Sequence, residues 1–140
     1  MAGPRSRRED DASQRASRRD VNVHEAYRAV EGGALLLDVR TGAEYRAGHA
    51  PSAVWISLAS LPARMAEVPA DRAVCVICHS GGRSAVAAQA LMAAGLADVA
   101  NVRGGMAAWI AAGLPVKRAE QGGGFLRSLL SGKAWPWFRR

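Results

Sequence analysis

The stretch from Ala73 to Ala94 constrains the fold more than any other part of the chain. It opens with Ala73-Val74-Cys75-Val76-Ile77, an uninterrupted apolar and β-branched run. Continuous apolarity of this kind suits a strand covered on both faces, as in a parallel sheet, rather than a half-solvated one. The loop Cys78-His79-Ser80-Gly81-Gly82-Arg83 follows. An Ala-rich pattern then predicts a helix over residues 84–94, closed by Gly95. A cysteine between a strand and a helix N-terminus meets unpaired backbone N–H groups and the positive end of the helix dipole. Thiols in such settings ionise with pKa values of roughly 3.5–7.5, and the thiolate is the nucleophile. The loop therefore reads as a reactive-cysteine cradle that also binds an anion.

The same alternation runs through the rest of the chain. Asn22 with Glu25 three residues on predicts a capped helix from Val23 to the Gly32-Gly33 stop. Leu35-Leu36-Leu37 reads as a buried strand ending in Asp38-Val39-Arg40, and Thr41 caps a short helix that ends before Gly48. Residues 53–56 and 99–102 read as strands; residues 58–67 read as helical, with Pro62 in the first turn or at a boundary. Gly104-Gly105 leads into a helix containing Trp109, followed by Gly113 and Pro115. Strands alternating with helices imply an α/β fold, a mostly parallel sheet flanked by helices on both faces. Ligands in such folds bind beyond the strand C-terminal ends, where Asp38, Arg40 and the Cys78 loop all fall.

The net charge of +7 suggests a nucleic-acid or membrane partner until it is located. Residues 21–116 hold seven Arg and seven acids, so the excess lies in the flanking segments. The basicity belongs to the tails, and no nucleic-acid partner is expected of the folded domain. Residues 1–19 read as a disordered basic and polar extension without the apolar stretch of a secretory signal. Residues 20–116 form the expected domain. Residues 117–140 form a tail hinged at Gly122-Gly123-Gly124, in which Phe125, Trp135 and Trp137 interleave with Arg127, Lys133 and Arg139. Residues 125–140 suit an anionic membrane surface or a protein partner; the bland alternative is a segment that folds back or stays disordered. No stretch is long and apolar enough to span a bilayer.

Cys75 and Cys78 are three residues apart in or beside a strand and so point to opposite faces, which argues against a disulfide. Two further ligands for zinc are not visible, and no metal or cofactor is expected. Cys75 reads as a small buried apolar residue. A reactive thiol without disulfides fits a reducing cytoplasm.

Over residues 20–116 the chain resembles the rhodanese-homology family in its single-domain form. The resemblance rests on Leu37-Asp38-Val39-Arg40, Glu44-Tyr45, Gly48-His49-Ala50-Pro51-Ser52-Ala53, the segment from Cys78 to Ser84, Val102-Arg103-Gly104-Gly105 with Trp109, and Gly113-Leu114-Pro115-Val116. They occur in the family's order and spacing. The resemblance implies a five-stranded parallel sheet and a cysteine-centred, thiosulfate sulfurtransferase-like site. Two positions depart from the family pattern. Ser52 stands where Gly is frequent, which affects a turn. His79 stands where many thiosulfate-using members have Arg, which removes a permanent positive charge.

In this reading the Cys78 thiolate takes a sulfane sulfur from a small anionic donor such as thiosulfate and passes it, as a persulfide, to cyanide, a thiol or a protein acceptor. The backbone of His79, Ser80, Gly81, Gly82, Arg83 and Ser84 binds the anion, with Arg83 pairing to donor oxygens or orienting the loop and Ser84 donating a hydrogen bond or capping the helix. Asp38, Arg40 and Glu44 support the site: Asp38 by bonding loop backbone, Arg40 by pairing with Glu44. His49 stabilises a turn, and Trp109 belongs to the core. Two rivals remain. One is a protein-to-protein persulfide relay or binding module with little small-molecule turnover. The other is a Cys-dependent phosphatase or arsenate reductase; against it stand the four residues between Cys78 and Arg83, one fewer than the phosphatase loop.

Overall fold

The computed structural model describes residues 19–118; the expectations for the N-terminal extension and for the tail beyond Arg118 lie outside the described residues. Five strands form one parallel sheet: β1 (Arg19–Val21), β2 (Leu35–Asp38), β3 (Val54–Trp55), β4 (Val74–Ile77) and β5 (Val99–Val102), in the order β1-β5-β4-β2-β3. The helices are α1 (Val23–Glu31), α2 (Gly42–Ala47), α3 (Leu61–Arg64), α4 (Gly82–Ala93) and α5 (Gly105–Ala111), with a 3-10 turn over Met65–Glu67 after α3.

The period-2 alternation of strand side chains sorts the core into two layers. Leu35, Leu37, Val74, Val76 and Val99 face α3 and α4 through Leu61, Ala87, Ala88 and Leu91. Leu36, Cys75, Ile77, Ala100 and Val102 face α1 and α5 through Ala26, Met106 and Trp109. Every residue of β2, β4 and β5 is buried, which is why these strands are apolar at every position but Asp38 and Asn101 rather than alternating. Cys75 and Cys78 fall in opposite layers and both are free thiols, as their spacing predicts.

Local chemistry sets the helix ends. Asn22 and Glu25 form a reciprocal capping box at α1, and Thr41 and Glu44 form another at α2. Some boundaries differ from expectation. The 58–67 segment is helical only from Leu61, with Pro62 in the first turn, where its missing N–H costs nothing. The strand expected over 53–56 is two residues long. The fifth strand, β1, offers one buried residue in three and so carries almost no apolar signal. Lys117 joins the domain by an antiparallel bridge to His49, with backbone bonds of 2.9 and 2.7 Å.

Candidate active site

Cys78 follows the last residue of β4 and is 1% exposed, at the base of the loop that turns into α4. The helix begins at Gly82, two residues earlier than the alanines suggest, and Gly81 caps it at φ +111°. That left-handed conformation is readily available to glycine. Gly81 also lies against Gly104, whose backbone N would stand 3.4 Å from an added Cβ.

The N-terminus of α5 fixes the loop from the other side. Met106 N–H donates to the Cys78 carbonyl at 2.7 Å and Ala107 N–H to the His79 carbonyl at 3.0 Å. Gly105, at φ +57°, permits this approach; any Cβ there would run into both carbonyls. In a trans peptide the carbonyl and the following N–H point in opposite directions. Anchoring these two carbonyls on α5 therefore turns the N–H groups of His79 and Ser80 away from α5. The loop is thus a set of oriented donors rather than a flexible connection.

The sulfur sits within this donor set. Gly81 N–H donates to Cys78 Sγ at 3.1 Å, and the Ser84 hydroxyl lies 3.2 Å from it. Burial raises the thiol pKa; the Ser84 hydroxyl and the backbone N–H groups of Ser84, Gly81 and Ser80 lower it and together prevail, so Cys78 lies below the ordinary thiol value. Among the described residues no such donor reaches Cys75, and burial pushes it up to about 11. The two cysteines, three residues apart, are thereby shifted in opposite directions, Cys78 toward the thiolate and Cys75 toward the neutral thiol. Ser84 does not cap the helix: it is fully buried and points inward at the sulfur.

Arg83 reaches across to α2 and forms a bidentate pair with Glu44, at 2.7 and 2.8 Å. The Arg83 hydrogen bonds hold the Glu44 carboxyl down to about 2, against opposing burial and with help from Thr41. Glu44 thus serves both the α2 capping box and the loop. The expected Arg40–Glu44 pair does not form. Arg40 is 5% exposed and closes on Asp38, fully buried, with Nη2 2.7 Å from Oδ2. The same Nη2 donates to the Gly48 carbonyl at 2.7 Å, and Arg40 N–H donates to Asp38 Oδ1 at 3.1 Å, the backbone bond expected of Asp38. Arg40 prefers Asp38 because both face the interior behind β2, whereas Glu44 lies on the loop side of α2. His49 Nδ1 is 2.7 Å from the Tyr45 carbonyl and its ring stacks on Tyr45, a turn-holding role. Trp109 is buried in the core. His79 and Ser80 are exposed at the loop's outer edge.

Two participants escaped sequence reading. Asn101 on β5, 4% exposed, has Oδ1 2.5 Å from the Ser84 hydroxyl, and its Nδ2 donates to Asp20 Oδ1 at 3.3 Å. The available signal was a lone amide inside an apolar strand, since a buried polar side chain requires partners. Among the described residues no group of three or more metal-ligating side chains occurs, and no helix is long and apolar enough to cross a membrane.

Comparison with known proteins agrees with this fold. A sulfurtransferase of Allochromatium vinosum is 44% identical over 86 residues, covering 61% of this chain and 80% of that one. A rhodanese-related protein of Thermoplasma volcanium superposes with a TM-score of 0.67 at 32% identity, covering 73% of this chain and 99% of that structure. A thiosulfate sulfurtransferase of Pseudomonas aeruginosa superposes with a TM-score of 0.67 at 26% identity, covering 78% of this chain but 22% of that larger one. The rhodanese-like domain profile matches residues 22–112, from the α1 cap to the end of α5, and by that match the chain belongs to the rhodanese-like domain family.

Proposed function

We propose that this protein is a sulfurtransferase that works through a persulfide on Cys78. The Cys78 thiolate attacks the outer sulfur of a donor such as thiosulfate; the donor S–S bond breaks and sulfite leaves with the bonding pair. An acceptor nucleophile, cyanide in an assay or a thiol in a cell, then attacks the terminal sulfur and releases the Cys78 thiolate. The observation that carries this reading is the sulfur's setting: a thiol lowered in pKa, with the Gly81 N–H and the Ser84 hydroxyl 3.1 and 3.2 Å away. The same donors stabilise the negative charge as it moves onto the persulfide. His79, Ser80, Gly82 and Arg83 complete the loop, and Asp38, Arg40 and Glu44 hold it in place. The family match and the Allochromatium sulfurtransferase support the reaction class.

The test is intact mass. Thiosulfate treatment is expected to add one sulfur to Cys78, cyanide to remove it, and Cys78→Ser to abolish it. Phosphatase turnover that depends on Cys78, with no sulfur transfer, would overturn the proposal.

A protein-to-protein persulfide relay is the second reading, and one observation favours it. Arg83, the loop's only arginine, is committed to Glu44, and His79 stands beside the cysteine. The loop therefore offers little net positive charge to a dianion, which suits a less charged donor such as a persulfidic thiol. His79→Arg is expected to lower the KM for thiosulfate; an unchanged KM sinks this account of donor choice. A variant ending at Lys117 retains the His49 bridge. Protein-to-protein transfer that collapses in that variant, with small-molecule turnover intact, supports the relay.

A further inference from the structure

Cys78 is the near end of a hydrogen-bonded chain that crosses the sheet to its edge strand. Ser84 Oγ lies 3.2 Å from Cys78 Sγ and 2.5 Å from Asn101 Oδ1, and Asn101 Nδ2 donates to Asp20 Oδ1 at 3.3 Å. The pairing of β1 with β5 sets Asp20 directly opposite Asn101. Ser84 and Asn101 are both buried, at 0% and 4% exposure, in the apolar layer between the sheet and α4.

A hydroxyl has one proton to give. With two acceptors in reach, the Ser84 proton serves either the sulfur or the amide oxygen. The amide's orientation decides which. When Nδ2 points at the Asp20 carboxylate, Oδ1 faces Ser84 and accepts its proton at 2.5 Å. A neutral Cys78 can then donate its own S–H to Ser84 Oγ. When Cys78 is a thiolate it has no proton to give, and the better arrangement reverses the chain. The amide turns, Nδ2 donates to Ser84 Oγ, and Ser84 donates to the sulfur. The turn gives up the long contact to Asp20 and sets the amide oxygen against that carboxylate, at an exposed strand edge, which is the bias Asp20 imposes.

We propose that Asn101 is a positioning residue of this site: its amide, biased by Asp20, switches the Ser84 hydroxyl between accepting from the Cys78 thiol and donating to the thiolate. The inference rests on Cys78 being the nucleophile, but its test reads the thiolate directly and needs no sulfur donor. The charged and titratable groups around the loop, Arg83 with Glu44, Asp38 with Arg40, and His79 and Arg103, are unchanged in every variant used.

The experiment is an ultraviolet titration of the thiolate in the full chain between about pH 5 and 9, a window below the Cys75 thiol at about 11. Asn101→Leu leaves the sulfur as the one acceptor of the Ser84 proton among the hydrogen bonds of the described residues, so the Cys78 midpoint is expected to fall by about one unit, the size of one hydrogen bond to a charged group. Asp20→Asn, at the exposed edge, removes the carboxylate bias and is expected to move the midpoint the same way by a smaller amount. Ser84→Ala is expected to raise it. The double variant Ser84→Ala with Asn101→Leu is expected to titrate like Ser84→Ala alone, because the amide acts only through the hydroxyl. A shift from Asn101→Leu that persists without Ser84 would overturn the proposal, as would no shift in Asp20→Asn. If Asn101→Leu does not fold, the Asp20→Asn shift with and without Ser84 decides the question. Loss of the Cys78 sulfur adduct alongside these shifts would count against the sulfur-transfer reading alone.

Discussion

Replacing Gly105 by alanine tests how the Cys78 loop is held. Gly105 sits at φ +57°, and a Cβ there would collide with the Cys78 and His79 carbonyls. Left-handed backbone costs a non-glycine residue about 1–2 kcal/mol. Relieving the collision must also separate α5 from the loop, breaking the bonds from Met106 N–H and Ala107 N–H, at 2.7 and 3.0 Å. Each is worth about 1 kcal/mol net, and somewhat more where a carbonyl is left buried without a partner. The expected loss is about 3–5 kcal/mol, a large share of a small domain's total stability of about 5–15 kcal/mol. Gly113→Ala is the control: Gly113 is left-handed at φ +74°, but nothing lies within 4 Å of its would-be Cβ. It should lose only the backbone part, about 1–2 kcal/mol. Urea unfolding of both variants gives the difference, which isolates the collision. Sulfur loading of Cys78, measured at a temperature where Gly105→Ala is still folded, should fall at least tenfold, because the freed carbonyls no longer turn the His79 and Ser80 N–H groups from α5. Equal destabilisation of the two variants, or unimpaired loading in Gly105→Ala, would refute the idea that α5 sets the loop's geometry.

Other outcomes follow from the charged groups. Glu44→Gln is expected to cost about 1 kcal/mol or less, since the Arg83 pair is about a third exposed and water screens it, yet to slow sulfur loading more than this loss implies by freeing Arg83; a loading rate matching wild type would show that the pair does not orient the loop. The folded Glu44 pKa of about 2 lies below its ordinary 4.5, so its contribution is fully present above about pH 4.5 and is lost as pH falls toward 2; acid unfolding of Glu44→Gln should therefore show a shallower pH dependence in that window than wild type. Arg40→Leu leaves the fully buried Asp38 without its guanidinium and should destabilise by about 3–5 kcal/mol in urea unfolding, whereas a loss under 1 kcal/mol would mean Asp38 finds another partner. Because Cys78 lies below the ordinary thiol value, the pH profile of its alkylation by iodoacetamide should have its midpoint below that of a free cysteine thiol, and a midpoint at or above it would contradict the donor set around the sulfur.

The central strands and the starts of α1 and α2 were legible because their signals are local. β4 is a continuous apolar run, and Asn22 with Glu25 or Thr41 with Glu44 closes its capping box within one turn. β1 was not legible: Arg19-Asp20-Val21 becomes a strand because β5 offers it an edge, not because of its own pattern. Nor was the start of α4, since Gly81 and Gly82 disfavour a helix until the loop's packing requires that turn. The partner of Glu44 was misread for the same reason. Arg40 is four residues away in sequence and Arg83 is 39, but the sheet order brings the second within reach and turns the first inward.

The sequence by itself determined that this chain builds a parallel sheet from short apolar strands and ends one of them in a cysteine, a glycine-rich turn and a helix. Those features depend on backbone preferences and side-chain periodicity over a few residues. Only the tertiary structure decided how the cysteine is tuned. Its sulfur answers to a serine on the following helix, an amide on β5 and a carboxylate on β1, while α5 fixes the carbonyls behind it. Hydrogen bonds and ion pairs act over about 3 Å, so which of the chain's many polar groups meet at the sulfur is settled by the order of the strands, and no local pattern records it.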